Sequence, residues 1–218
     1  AGNLIRKIVS YCGNEIGITL TLNKDKKSFM RIATEVFGEW AQQGKDIGMQ
    51  QGHAQAVEDM INFAIKERKS LKRNFSFLDL GCGNGWVVRT VENDPLCFEA
   101  VGIDGAKQMI KNARNSSSKS KYLLENIDTY NSPNKFDLIH SMEVLYYLEN
   151  PAQSVKKIVD SWLHKGGRLI AGLDLYYENA NSHDWEEKVG TKMLMLKEEE
   201  WIKIFKAAGL NEVESWRS

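Results

Sequence analysis

The 218-residue sequence predicts an α/β fold, doubly wound about a mostly parallel sheet, with a helical N-terminal extension. Three observations lead there. From Phe75 onward, short apolar runs alternate with amphipathic stretches, the pattern of right-handed strand–helix–strand crossovers. The first of these runs closes on a glycine-rich turn that opens a helix, and the next closes on an acid about twenty residues further on. Hydrophobic residues make up 42% of the chain, enough to fill a core and to exclude wholesale disorder.

Taken in order, residues 1–24 hold two alternating runs, Leu4–Tyr11 and Ile16–Leu22, around a Gly13-Asn14 turn signal, which is hairpin grammar. Helical spacing follows at Phe29, Ile32, Ala33, Val36, Phe37 and Trp40, and again at Ala56, Val57, Met60, Ile61, Ala64 and Ile65. A glycine-punctuated stretch, 44–53, lies between them. The helices of 28–69 are read as a lid, with Trp40–His53 as its mobile cover. A boundary at 74/75 separates this extension from the domain of 75–218. In that domain the strands are Phe75–Leu80, Phe98–Ile103, Lys121–Glu125, Phe136–Ser141 and Arg168–Leu175. The helices are Trp86–Val91, Met109–Ala113, Val155–Leu163 and Glu198–Ala208, with Glu212–Trp216 as a last strand.

Composition removes several classes. Lysine plus arginine equals aspartate plus glutamate, 29 against 29, so no whole-chain field favours nucleic acid. The basic run Lys66, Arg68, Lys69, Lys72 and Arg73 reads as a solvated helix end. Cys12, Cys82 and Cys97 are spaced for neither a disulfide framework nor a zinc site, and no metal is expected. No apolar stretch approaches the roughly 20 residues of a membrane span, and no signal peptide is recognised, so a cytoplasmic setting is expected.

The chemistry concentrates in Phe77-Leu78-Asp79-Leu80-Gly81-Cys82-Gly83-Asn84-Gly85. Glycine suits a turn where backbone must approach a ligand, and the helix that follows presents unpaired N–H groups. Asp104, closing Val101-Gly102-Ile103-Asp104, can accept hydrogen bonds from ribose hydroxyls. The spacing is G-x-G-x-G, with Trp86 where a dinucleotide fingerprint has its third glycine. Asp79, just ahead of the glycines, suits a ligand bearing an ammonium group better than a pyrophosphate.

Asp79 through Gly85, with Asp104, resembles the first motif and the ribose-binding acid of the class I, seven-stranded, Rossmann-like S-adenosylmethionine-dependent methyltransferases. Gly105-Ala106-Lys107-Gln108-Met109 is similar to the family segment whose methionine lies against adenine. Glu125-Asn126-Ile127-Asp128 sits where adenine-edge contacts fall, with Asn126 in the register of the usual acid. Phe136–Leu148 resembles the fourth strand and its loop, and Leu163–Leu169 the turn before the fifth, with His164-Lys165 for the commoner Lys-Pro. The resemblance spans about residues 75–175. It implies S-adenosylmethionine as methyl donor, S-adenosylhomocysteine as product, and Asp79, Gly81, Gly83, Gly85, Asp104, Gly105, Met109, Asn126, Ile127 and Ser141 as the cofactor's contacts.

In-line displacement needs alignment more than a fixed catalytic triad. His53, Tyr146 and Tyr147 are the candidate catalytic groups. Trp40, His53, Tyr146, Tyr147 and Tyr176 are candidates for an acceptor pocket walled by aromatic rings. His140 is read as a packed, hydrogen-bonded histidine. A small-molecule acceptor is expected. The alternatives are a protein or RNA methyltransferase, a nicotinamide-dependent oxidoreductase, and a degenerate domain used as a binding module. The resemblance also implies a seventh strand inserted antiparallel beside the fifth. None follows Glu212–Trp216, so residues 1–24 are expected to supply it, with Ile18–Leu22 paired to Leu169–Leu173.

Overall fold

The computed structural model describes residues 5–9, 30–117 and 119–217. Five parallel strands form the body of its sheet: β2 (Phe75–Leu80), β3 (Cys97–Asp104), β4 (Lys121–Leu124), β5 (Phe136–Met142) and β6 (Leu163–Gly172). With β1 (Ile5–Val9) and β7 (Val213–Arg217) the order across the sheet is β4-β3-β2-β5-β6-β1-β7. The chain winds outward from β2 to β4, returns to β5 beside β2, and winds the other way. That reversal leaves a crevice at the C-terminal ends of β2 and β5, where ligands of such sheets bind.

Alternation within each strand divides the core into two layers. Leu78, Leu80, Ile139, Leu169 and Ala171 face α5 (Pro151–Lys157) and α7 (Glu198–Ala207), where Val155, Trp201 and Phe205 meet them. Phe75, Phe77, Leu138 and Ile170 face the other way. They meet α2 (Lys45–Leu71) through Ala56, Val57, Met60, Ile61, Ala64 and Ile65, α3 (Trp86–Glu92) through Val87, Val88 and Val91, and α4 (Lys107–Ser116) through Ile110 and Ala113. The apolar stripe of α2 thus belongs to the sandwich itself. α1 (Ala33–Gln42) and the first turns of α2 reach past the sheet over the crevice, whereas α6 (Trp185–Val189) lies in the connection before α7.

Three expectations change. The strand inserted between β6 and β7 is Ile5–Val9, from the first alternating run, and it runs parallel: Ile5 pairs with Leu169 and Ile8 with Gly172. The β6 edge that Ile18–Leu22 was expected to occupy is therefore taken, and Ile18–Leu22 itself lies outside the described residues. The glycine-punctuated stretch between the two helical runs is itself helix from Lys45 onward, continuous with the second run. A Cβ added at Gly48 or Gly52 would meet nothing within 4 Å, so packing does not demand glycine there. The helical cost of two glycines, about 1 kcal/mol each, is offset by the buried stripe that continues the same helix. Finally, β6 begins at Leu163 and takes in the His164–Gly167 segment, with a register irregularity against β5 between Phe136 and Leu138.

Trp201 is wholly buried in the α7 layer. Trp201→Ala should cost about 3–5 kcal/mol, the usual range for emptying so large a site. A urea midpoint shifted by less than about 1 kcal/mol equivalent would show that α7 is not part of the core.

Candidate functional site

The glycine turn after β2 is held by one carboxylate. Asp104, at the end of β3, accepts the Gly83 N–H at 2.9 Å on Oδ2 and the Ala106 N–H at 2.7 Å on Oδ1. It thereby ties the β2–α3 turn to the β3–α4 turn. Burial pushes the Asp104 carboxyl up to about 6 against the two hydrogen bonds that oppose it. Gly81, Gly83 and Gly85 all have positive φ. A side chain at Gly83 would enter open space with only Met109 Sδ nearby at 3.9 Å, whereas one at Gly81 would strike Val144 and one at Gly85 the Tyr122 ring.

A cavity of about 290 Å³ opens over this turn. Its floor is the strand-end set Asp79, Gly81, Gly83, Asp104 and Gly105, with Met109, Asn126 and Ile127 to one side. Met142, Glu143 and Tyr147 lie on the β5 side. α1 and α2 roof it with Phe37, Asp46, Met49, Gln50 and His53. The roof is pinned by polar contacts: Asn84 donates to Asp46 and to Gln50, each at 3.2 Å, and Asn112 donates to Asp46 at 3.3 Å.

Asp79 and His140 are register partners on β2 and β5 and both are buried. His140 Nδ1 lies 2.7 Å from Asp79 Oδ1, so the expected packed histidine is paired with the motif's acid. His140 Nε2 is buried without a hydrogen-bond partner, and the residue lines the cavity. An orphaned buried ring nitrogen and an open Gly83 cradle are what a polar ligand would complete. Asn126 Oδ1 closes a turn onto the Asp128 N–H at 2.8 Å. Lys157 reaches across from α5 to the carbonyls of Ile127, Asp128 and Tyr130, at 2.7–3.0 Å, and fixes that segment.

Five expected residues fall away from the cavity lining. Gly85 caps α3 and backs onto Tyr122, whose hydroxyl donates to its carbonyl at 3.2 Å. Ser141 is buried inside the sheet. Trp40 packs edge-on against Phe37 under Lys45. Tyr176 is buried where the Arg217 guanidinium donates to its hydroxyl. Tyr146 turns inward and donates to Glu143 at 2.7 Å, leaving Tyr147, against Phe37 and Tyr146, as the aromatic wall. Sequence reasoning passed over Glu143, Asp46 and Gln50. Glu143 stands inside the quoted post-strand segment, and an acid directly after a core strand was the available signal. Asp46 and Gln50 gave none, because the roof's register depends on how α2 docks.

The sheet order, the crevice and the glycine–aspartate clasp are those of a Rossmann-like α/β domain, and the chain is similar to S-adenosylmethionine-dependent methyltransferases. Residues 78–171 match a family model described as "Methyltransferase domain". Over 128 residues the chain is 26% identical to malonyl-[acyl-carrier protein] O-methyltransferase 2 of Ilyobacter polytropus, covering 56% of this chain and 48% of that protein. Over 174 residues it is 24% identical to the ubiquinone biosynthesis O-methyltransferase of Pelagibacter ubique, covering 69% and 70%. Among solved structures, a chain from the Haloferax volcanii complex between the Trm112 methyltransferase activator and a methyltransferase superposes with a TM-score of 0.66 at 26% identity, covering 79% of this chain and 75% of that one. The chain spans about half the length of the Ilyobacter relative. Among the described residues no helix is long and apolar enough to cross a membrane.

Replacing Lys157 by methionine should cost about 2 kcal/mol, the range for hydrogen bonds to a charged group, and speed amide exchange in 126–130. Unchanged exchange there would mean the lysine does not hold the segment.

Proposed function

We propose that this chain transfers the methyl group of S-adenosylmethionine to a small-molecule acceptor held in the cavity between the strand ends and α1–α2. The observation that carries the reading is the Asp104 clasp, which presents a buried carboxylate and the open Gly83 backbone to one cavity. In this reading Asp104 receives the ribose hydroxyls and Gly83 lets the backbone approach the donor. Asp79, oriented by His140, faces the donor's ammonium group. Met109 and Ile127 flank the adenine, and Asn126 lies at its edge. When bound, the donor supplies an already activated sulfonium methyl. The protein's own residues then position the acceptor and exclude water.

A small-molecule acceptor is favoured by the cavity's form. Its roof is two helices, and its walls are Phe37, Tyr147 and Trp86, an enclosure for a compact body rather than a polymer groove.

The test is S-adenosylhomocysteine calorimetry. Asp104→Ala should weaken binding by about 1–3 kcal/mol, the cost of lost hydrogen bonds to a charged group. Only the ionised carboxylate accepts both hydroxyls, so wild-type affinity should fall as pH drops through about 6, approaching tenfold per pH unit below it. The sign for folding is opposite. A raised carboxyl stabilises the fold at low pH, and that contribution is lost as pH rises through about 6. In Asp104→Ala the acid-side loss of affinity should disappear. Equal affinity in wild type and variant, flat across pH 5–7, removes Asp104 from the site. Separately, Gly83→Val should abolish binding because its bulk enters the cavity, and the left-handed φ at this position should lower stability by about 1–2 kcal/mol without unfolding the chain. Intact binding in a folded Gly83→Val variant would place the donor elsewhere.

A further inference from the structure

Beside the donor site, an imidazole and two carboxylates converge. One potential ligand atom from each of His53, Glu143 and Asp174 lies within 4.8 Å of the other two. Glu143 follows β5 directly, in the left-handed backbone region at φ 58°, and lines the cavity. Its two oxygens accept the Asp174 N–H at 2.6 Å and the Tyr146 hydroxyl at 2.7 Å. Burial and the neighbouring Asp174 charge push the Glu143 carboxyl well above the usual range, so the pair gains from an added positive charge. His53 Nδ1 lies 2.8 Å from the Met49 carbonyl. A carbonyl can only accept, so Nδ1 carries the hydrogen and the lone pair sits on Nε2. Burial also lowers the His53 pKa, which keeps the ring neutral.

The cavity as a whole has the same bias. Asp46, Asp79, Asp104, Asp128, Glu143 and Glu149 line it, and among the described residues no lysine or arginine does. The orphaned His140 Nε2, buried in the same lining, is a further ring nitrogen awaiting a polar partner. A cavity this rich in acceptors selects a ligand rich in donors.

We infer that the methyl acceptor is an amine with an apolar or aromatic body, which enters as an ammonium ion, is held by Glu143 with Asp174, and surrenders a proton to Nε2 of His53. The inference rests on the methyltransferase reading above. The balance is simple. The N–H electron pair stays on nitrogen as the proton passes to His53. That lone pair then forms the N–C bond to the methyl carbon, and the S–C bonding pair leaves on sulfur as a neutral thioether. Proton and charge both close, leaving a methylated ammonium product and an imidazolium to be discharged to solvent. Phe37 and Tyr147, edge to face at 5.3 Å, supply a wall for the body and π density for the cation.

The experiment uses the full chain saturated with S-adenosylhomocysteine and titrated by calorimetry with phenethylamine, tyramine and histamine. Uncharged 2-phenylethanol, anionic phenylacetate and the divalent ions magnesium, manganese and zinc are titrated in parallel. At least one amine should bind about tenfold or more tighter than the alcohol and the acid, in keeping with a charge-assisted contact. Glu143→Gln should erase that preference. His53→Gln should keep amine binding but lose N-methylation in a single turnover with S-adenosylmethionine, which separates proton removal from recruitment if Glu143→Gln fails to fold. Amines binding no better than the alcohol, or a preference that survives in folded Glu143→Gln, overturns the inference. So does stoichiometric divalent binding that requires Glu143, which would make the cluster a metal site. Failure to bind S-adenosylhomocysteine at all overturns the methyltransferase reading, whereas normal binding without amine preference overturns only the acceptor.

Discussion

The site depends on the Asp104 carboxylate being buried between two backbone N–H groups. Without that contact, the positive-φ turn at Gly81–Gly85 and the start of α4 would be two independent loops. With it, they become one rigid floor. The cost is visible in the carboxyl's raised pKa, since two backbone donors only partly replace the water it has lost. A residue held at such a cost is poised to gain from further donors, which is the property expected of a group that waits for a ligand's hydroxyls.

The same logic extends outward from the floor. Asp79 is matched by His140 across the β2–β5 pair, and Asn84 gathers Asp46 and Gln50 from the roof. Lys157 ties down the segment after β4 from the opposite face of the sheet. These contacts join strand ends to one another and to the flanking helices, so the crevice takes its shape from the sandwich. The acids that remain facing the cavity give its lining a negative bias.

Much of this was legible in the order of residues. The alternation from Phe75 onward located the strands of the sheet body to within a few residues, because buried parallel strands must be apolar and their helices must show one apolar stripe. The glycine turn was legible because its positive-φ backbone restricts the residue types that serve, and Asp104 because it closes the neighbouring strand beside that turn. The helix through Gly44–His53 was hidden by its glycines, whose local propensity was outweighed by the buried stripe further along the same helix. Tyr146 and Glu143 exchanged expected places for a similar reason. Both follow β5, and only the turn's backbone decides which side chain faces the cavity. The strand beside β6 was drawn from the right end of the chain but the wrong run, because both runs alternate and sequence alone does not choose between them.

The length of α2 has a mechanical consequence. Its 27 residues span about 40 Å, with His53 near the front and the core stripe behind. Arg168 grips the carbonyls of Phe63 and Ala64 and the carboxylate of Glu67 at the rear. The rear half is thus clamped to the sheet, and the front half reaches over the cavity, where Asn84 and Asn112 tie it down through Asp46 and Gln50. Its two most pliable points are Gly48 and Gly52, on either side of Met49 and Gln50. Widening the entrance therefore need not disturb the core, but it would release the contacts of Asp46 and Gln50 with Asn84 and Asn112. His53 sits one residue beyond the second glycine, between the roof contacts at the front of the helix and the buried stripe behind.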